Sequence, residues 1–591
     1  MKISAALLLI VTSARADCGV YLAPSTIPGA GLGLYAGKDY GKGDRVTWGD
    51  LIFPVIELSW NNGHEDFFWL WDEYTWSYTV EESMEFETDG SSDLSAASPG
   101  IGAALNCMLG LVNIEDTVSK CESGGLHRSK DPGAGAITPY HDRASVATRD
   151  ISAGGELFID YGSKYFESRK SIYGLLPLHK NHEEANPIMY RFHRLQSEVL
   201  KYYSESLQND LWTIITGLNT RTTNALPPKA EDINDDLLRK GTAFVYEGRS
   251  HRSVEWLEEH GQCADNIRNG PSTIPQAGRG AFATRFIPSG GLVAPAPLIH
   301  ISNKTQLDMY EALPPKDGFI RRNLSAPVHQ QLLLNYCFGH PDSDVLVSPY
   351  GVLVNLINHS PTRANTKIVW SNQMRHAEWL KMSPKVMEKD HHSGLSFDYV
   401  ALRNIEEDEE IFIDYGPDWQ TAWDDHVAGW KPPPDADKYE PAYERNGINQ
   451  TDSILPTSAE GGYGADVKLW VHGAYINIAG HETRTEYTRA EIMDRFTTSN
   501  GEIRYRAQTF REKDRKYTTK IEYGIVLWSL PRDAFVFDDV PYTRDHIMPW
   551  SFRHYIGIPD EIFPEAWKRD NMSFDFLQDI FAAVETTSSK M

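Results

Sequence analysis

The chain has 591 residues, 41% of them apolar and 16 of them tryptophan, so it is too long for one hydrophobic core and too apolar for global disorder. Its formal net charge of -25 sets aside nucleic-acid binding through a basic face and leaves a basic peptide as a compatible partner.

Residues 1–16 read as a secretory signal peptide. Lys2 is the basic head, Ala5 to Val11 the short apolar run, and Ala14-Arg15-Ala16 a small-x-small cleavage site. The run is too short to cross a bilayer and no other stretch is long enough, so no membrane span is expected. The mature chain is placed in the secretory pathway, in the endoplasmic reticulum lumen or outside the cell. The cysteines Cys18, Cys107, Cys121, Cys263 and Cys337 contain no CxxC pair, so no zinc cluster and no metal site is expected. Cys107 and Cys121 are spaced for a local disulfide, with free buried thiols the equal alternative. Asn-x-Ser/Thr triplets at Asn303, Asn323, Asn358, Asn449 and Asn571 are acceptor sites for N-glycans.

The chief organisational fact is an internal repeat. Pro24-Ser-Thr-Ile-Pro28-Gly-Ala30-Gly31-Leu-Gly33-Leu-Tyr35-Ala36 recurs as Pro271-Ser-Thr-Ile-Pro275-Gln-Ala277-Gly278-Arg-Gly280-Ala-Phe282-Ala283. Further on, Phe158-Ile-Asp160-Tyr161-Gly162 recurs as Phe412-Ile-Asp414-Tyr415-Gly416 at nearly the same offset. One module of ordinary domain size therefore occurs twice, at 17–166 and 263–425. Between these motifs the first copy has an aromatic-rich stretch from Ser59 to Thr79, read as core and strand packing, and an exposed loop from Ser91 to Pro99.

Residues 167–262 read as a helical connector. Ile188, Phe192, Leu195, Val199, Tyr203, Leu207 and Leu211 recur at helical spacing as one apolar face that docks on the modules, and Asn186-Pro187 is its start. After the second copy, residues 426–460 form a linker stiffened by Lys431-Pro-Pro-Pro434. From Val467 onward apolar and polar residues alternate, which makes 461–591 a third, β-rich module.

The chemistry-bearing stretch lies in the second copy. Gly351-Val-Leu-Val-Asn-Leu-Ile-Asn358-His359-Ser360 is an apolar run ending in a polar turn, followed by Asn365. Glu410-Ile-Phe-Ile-Asp414-Tyr415-Gly416 is a short strand ending in a polar aromatic. Such a strand end beside an Asn-His pair lines a pocket.

This pattern of a glycine, Asn-His-Ser seven residues on, a nearby asparagine and a Glu-x-x-x-Asp-Tyr strand resembles the SET domain of protein lysine methyltransferases. The resemblance covers two spans, about half of the chain. It implies an α+β, mostly β fold: two SET-like modules of short curved strands joined by a helical segment, then the β-rich C-terminal module. It implies S-adenosylmethionine as cofactor and a protein or peptide presenting a lysine as substrate. By the same resemblance Gly278 and Gly280 hold the methionine end of the cofactor, with Gly31 and Gly33 their counterparts. Asn358, His359 and Tyr415 bind the cofactor, and Tyr415 orients the amine as the catalytic residue. The first copy departs from the family in having Asn106-Cys107 where Asn-His is expected, so the active site is assigned to the second. The second copy departs in having Asn355 in place of the usual Arg, and it lacks the cysteine-containing tail; Trp419 and Trp423 stand in as a hydrophobic lid. The readings kept beside this one are a tandem SET-fold binding or scaffold protein without turnover, and methylation of another nitrogen such as that of histidine.

Overall fold

The largest sheet is built around a strand of unusual composition. Leu292–Ile301 is apolar at almost every position, as burial on both faces requires, yet it contains Pro295 and Pro297. Tyr350 N–H donates to Pro297 O at 2.9 Å, so the backbone polar groups at these two positions face the Leu346–Pro349 side. On that side the ladder stops at the Leu298–Pro349 pair, and the missing proline donors have no strand to serve. Gly351 turns in just beyond this end; a Cβ there would overlap Pro295 O, which is why the chain needs glycine at that position.

In this computed structural model residues 18–56, 73–76, 94–316, 319–323, 325–390, 393–447, 454–464, 466–476, 482–515, 518–540 and 543–569 are described. The expected signal peptide, most of the aromatic stretch after Ser59, and the triplets at Asn449 and Asn571 lie outside them. The chain is mixed helix and strand, mostly strand, in small curled sheets. The large sheet runs Thr366–Trp370, Leu395–Ala401, Leu292–Ile301, Leu346–Pro349, Phe338–Gly339, Ile556–Gly557, antiparallel until the last pair. A second, very short ladder sets Asn358–His359 parallel to Phe412–Ile413. The N-terminal region repeats this as a parallel bridge between Asn106 and Phe158.

One apolar core, from Val20 to Trp567, runs through both regions. They are also joined covalently. The strand Val20–Pro24 pairs with Leu32–Ala36 on one side and with Gln262–Cys263 on the other, and Cys18 is disulfide-bonded to Cys263. Of the two alternatives for Cys107 and Cys121, the free thiols hold. Each sulfur has another role: Cys107 Sγ accepts the Tyr161 N–H at 3.4 Å, and buried Cys121 Sγ lies 3.3 Å from Arg544 Nη1. The described part of the expected Ser91 to Pro99 loop, from Leu94 on, is not exposed. Leu94–Ala97 is the middle strand of a small sheet, with Ala96, Ala97 and Ser98 buried.

The helical segment differs from its expected outline. Its long helix is His179–Glu198, so Pro187 lies inside it rather than at its start; Asn181 Oδ1 accepts the Leu178 N–H at the true beginning. The apolar period does not continue past residue 199, because the chain breaks into a 3-10 turn at Leu200–Tyr202 and restarts as Glu205–Thr216 under a Ser204 cap. Phe192 is buried against Trp212, with Met189 and Ala185 beside it, in a core belonging to the helices themselves. Leu195, Val199 and Tyr203 are instead 40%, 46% and 57% exposed.

Val467–Ile476, Glu482–Thr497, Ile503–Arg515, Thr518–Leu530 and Phe535–Asp539 form a five-stranded antiparallel sheet with its own core. Residues 543–569 leave it and return to the large sheet. There Ile556–Gly557 adds the last strand and Trp567 packs on Trp370, a return that the alternation after Val467 does not announce. Among the described residues no helix is long and apolar enough to cross a membrane.

Candidate functional site

The site is organised by a buried carboxylate. Glu410 ends the turn into the Phe412–Ile413 strand, is 5% exposed, and accepts from Ser272 Oγ at 2.7 Å, Thr273 N at 2.8 Å and Thr273 Oγ1. A buried charge is tolerated when it is hydrogen-bonded in this way. Asn358 Nδ2 lies 3.4 Å from the same carboxylate and donates to Arg279 O at 2.7 Å. A Cβ on Gly280 would overlap Glu410 Oε1 and come within 3.3 Å of Asn358 Nδ2. The repeated Pro-Ser-Thr triplet thus clamps Glu410, and Gly280 admits it. Asn365 ties the other side, taking the Phe412 N–H at 2.9 Å and giving to Glu410 O at 2.8 Å.

His359 and Tyr415 are set by this ladder. Tyr415 N–H donates to His359 Nδ1 at 2.9 Å, so the proton of the ring is on Nε2, which meets Gln420 Oε1 at 2.8 Å. Burial lowers the His359 pKa, with the Gln420 hydrogen bond opposing, and the ring stays neutral. Tyr415 Oη donates to Ile357 O at 2.6 Å, and burial first, then Tyr336, push its pKa far up, so the phenol keeps its proton. Trp419, one turn into the Pro417–Gly429 helix, stands 5.0 Å from the Tyr415 ring and 4.8 Å from His359, with Phe552 behind it at 5.5 Å. Trp423 packs parallel to Trp419 at 5.9 Å.

All five residues expected at the site, Gly278, Gly280, Asn358, His359 and Tyr415, therefore fall in one contiguous cluster. Gly278 has φ 66°, and its Cα side is covered: a Cβ there would lie 2.9 Å from Ile137 Cδ1 and 3.3 Å from Gly124 Cα. Asn355 only holds Pro349 O, at 3.0 Å. Sequence reasoning did not single out Gln420, Asn335 or Phe552. Ser272 and Thr273 were visible as part of the repeat, without a role. An open depression lined by Thr273, Arg363, Arg403, Glu410 and Phe412 adjoins the clamp, and none of the five borders it.

The N-terminal region reproduces the same contacts. Glu156 accepts from Ser25 Oγ at 2.6 Å, Thr26 N at 2.8 Å and Thr26 Oγ1, and a Cβ on Gly33 would overlap it. Asn113 serves Phe158 N and Glu156 O as Asn365 serves Phe412 N and Glu410 O. Tyr161 Oη donates to Leu105 O at 2.5 Å, its N–H goes to Cys107 Sγ where Tyr415 uses His359, and Tyr165 takes the Trp419 position at 5.0 Å.

Comparison with known proteins gives the class of one segment. Residues 278–416 match the family model of the SET domain. No curated protein matches the chain. A candidate histone methyltransferase of Plasmodium falciparum is 20% identical over 26% of this chain and 96% of its own, with a TM-score of 0.16. The polycomb repressive complex 2 of Chaetomium thermophilum is 19% identical over 28% of this chain and 17% of its own, at 0.16. The same complex in an autoinhibited conformation bound to S-adenosylmethionine is 18% identical over 31% of this chain and 19% of its own, at 0.18. The chain thus spans under a fifth of those two polycomb chains.

Proposed function

We propose that the chain is an S-adenosylmethionine-dependent protein methyltransferase acting on lysine, with its site at Asn358, His359 and Tyr415 in the 278–416 unit. The observation that carries this is the Tyr415 phenol, fixed at both ends: its N–H on His359 Nδ1 and its Oη proton on Ile357 O. With the proton spent on Ile357, the oxygen lone pairs are free to accept from an incoming amine and to orient it.

S-adenosylmethionine supplies a methyl group on a cationic sulfur. The residues fit such a ligand. Gly278 and Gly280 add no side chain of their own to a turn that Ile137 and Glu410 already pack against, and Trp419 and Trp423 offer a flat apolar wall. The chain's own task is to hold the amine neutral and in line. A free lysine has a pKa of ~10.4, and the apolar surroundings of Tyr415 lower it by desolvation. Tyr415 then orients the amine lone pair, which is positioning rather than base catalysis. A basic peptide suits the net charge of -25.

The Cys18–Cys263 disulfide supports passage through the secretory route. Glycans are proposed at Asn303 and Asn323, where each Oδ1 accepts from the hydroxyl of its own triplet, Thr305 at 2.9 Å and Ser325 at 2.6 Å. Asn358 is excluded, because the nitrogen a glycan would take is bonded to Arg279 O.

Calorimetric titration of the purified chain with S-adenosylmethionine, followed by mass spectrometry of peptide substrates, tests the reading. Saturable binding abolished by Asn358→Ala, with mass added on lysine, supports it. No binding leaves the tandem scaffold without turnover, and mass on histidine changes the acceptor.

A further inference from the structure

The two short strands Lys120–Cys121 and Tyr140–His141 pair with each other and close the base of a long loop, residues 122–139. This loop belongs to the N-terminal region, yet it lies across the 278–416 unit. Its inner side meets the Gly278 turn and the Pro417–Gly429 helix. Gly124 and Ile137 cover Gly278, and a Cβ on Gly133 would lie 3.3 Å from Gln276 O and 3.5 Å from Trp423 Cη2. Four side chains beneath the loop give hydrogen bonds to its carbonyls. Arg279 Nη2 donates to Glu122 O at 3.0 Å, Asn335 Nδ2 to Ala136 O at 2.8 Å, His426 Nε2 to Pro132 O at 2.8 Å and Arg553 Nη1 to Gly135 O at 2.9 Å. Thr138 N–H closes the set on Tyr336 Oη at 3.0 Å.

These are the donors a ligand with carboxylate or carbonyl oxygens would receive. Arg553 is the telling one. Its other acceptors are the carbonyls of Gln330, His546 and Phe552, and among the described residues no carboxylate pairs with it. Burial lowers its pKa to about 9, as expected of a cation given only neutral partners. Arg279 is the other cation, and it pairs with the loop's own Glu122 at 2.8 Å.

The outer side of the loop is gripped by the C-terminal region. Arg128, with a side chain 8% exposed, donates to Asp545 Oδ1 at 2.5 Å and to Thr543 O at 2.8 Å, and lies 3.3 Å over the Tyr439 ring. His127 Nε2 meets Tyr439 O at 2.8 Å and Ser123 N–H meets Tyr443 Oη at 3.0 Å.

We propose that residues 122–139 are an internal gate: the loop covers Gly278 and occupies the hydrogen-bond donors of Arg279, Asn335, His426 and Arg553, Arg128 latches it to the C-terminal region, and ligand enters only when the latch opens. The proposal rests on the methyltransferase reading and adds its regulation. It also gives the C-terminal region a task. The polar contacts on the inner side are mostly neutral carbonyl bonds of the kind another ligand can replace, whereas the outer side carries the buried ion pair. The closed loop lowers apparent affinity by the fraction of molecules that are open.

The test uses the full chain as wild type, Arg128→Glu and the milder Arg128→Gln, titrated with S-adenosylmethionine while hydrogen exchange follows the amides of 131–138. The expected result is faster exchange in both variants and a Kd at least ~10-fold lower than wild type, the signature of a removed closed state. Faster exchange with a measurable but unchanged Kd overturns the gate and leaves the donor reading standing. Faster exchange with no binding in any of the three chains removes the donor reading, and the gate with it. Unchanged exchange in both variants shows that Arg128 is not the latch and overturns the proposal. The Arg128→Gln chain keeps these outcomes readable if the charge reversal prevents folding.

Discussion

Glu410 lies over Gly280 so closely that a Cβ on the glycine would overlap its Oε1, and Glu156 lies over Gly33 in the same way. Each carboxylate is pinned by a Ser-Thr pair and cannot step aside. Gly280→Ala is therefore expected to destabilise by ~1–3 kcal/mol, the range for forcing atoms into a filled space. Thermal unfolding should show it, and Gly248→Ala, whose Cβ would meet nothing within 4 Å, should lie within ~0.5 kcal/mol of wild type. Equal melting of the two variants contradicts the clamp.

Tyr415→Phe removes the hydroxyl and its bond to Ile357 O. The stability cost should be ~1 kcal/mol, that of one hydrogen bond. Methyl transfer should fall by ~100-fold or more while the S-adenosylmethionine Kd changes less than ~3-fold, because the phenol acts on the amine and not on the donor. Tyr161→Phe breaks the matching bond to Leu105 O and should cost the same stability with no loss of transfer. If the Tyr161 variant loses activity and the Tyr415 variant keeps it, the working site is in the N-terminal region.

Much of this cluster was legible because it is carried by short contiguous motifs. Asn358-His359 and Asp414-Tyr415 each bring their own strand, so pairing the strands assembles the residues. The Ser272 and Thr273 clamp was visible only as a repeated string; its purpose needs Glu410, far away in the chain, to be in place. The helical face failed for a local reason. Ser204 caps a new helix, and a period counted across that break assigns Tyr203 and Leu207 to a core they do not enter. The 122–139 loop was illegible altogether. It has no period, and its contacts with Arg279, Asn335 and Arg553 depend on how two distant regions dock.

The Cys18–Cys263 bond closes a loop with a sequence separation of 245, and it holds Gln262–Cys263 against the strand Val20–Pro24. Cross-links of this kind contribute ~2–4 kcal/mol by restricting the unfolded chain. Reduction, or Cys18→Ser with Cys263→Ser, should lower the unfolding temperature by several degrees. Reduction should have no further effect on the double variant, since Cys107, Cys121 and Cys337 are unpaired. A melting curve insensitive to reductant in the wild type would show that the bond does not form.

Asp50 sits where the two regions meet, its Oδ1 taking the Leu51 N–H at 2.8 Å and its Oδ2 the Leu353 N–H at 3.0 Å. Burial raises its pKa to about 7, against the pull of these two N–H groups and of Arg143. An unfolded aspartate titrates at ~3.9. Between those values the folded chain holds a proton that the unfolded chain has released, so this group makes stability fall as the pH rises through that window. At full effect a displacement of this size is worth ~4 kcal/mol, at ~1.4 kcal/mol per pH unit. Asp50→Asn has the shape of the protonated acid and cannot ionise. Its stability relative to wild type should therefore improve steadily from pH 4 to pH 7 and stay constant above, whatever the offset at the acid end. Denaturant unfolding of both chains across that range measures the difference directly, and parallel curves would show that Asp50 does not carry the proton.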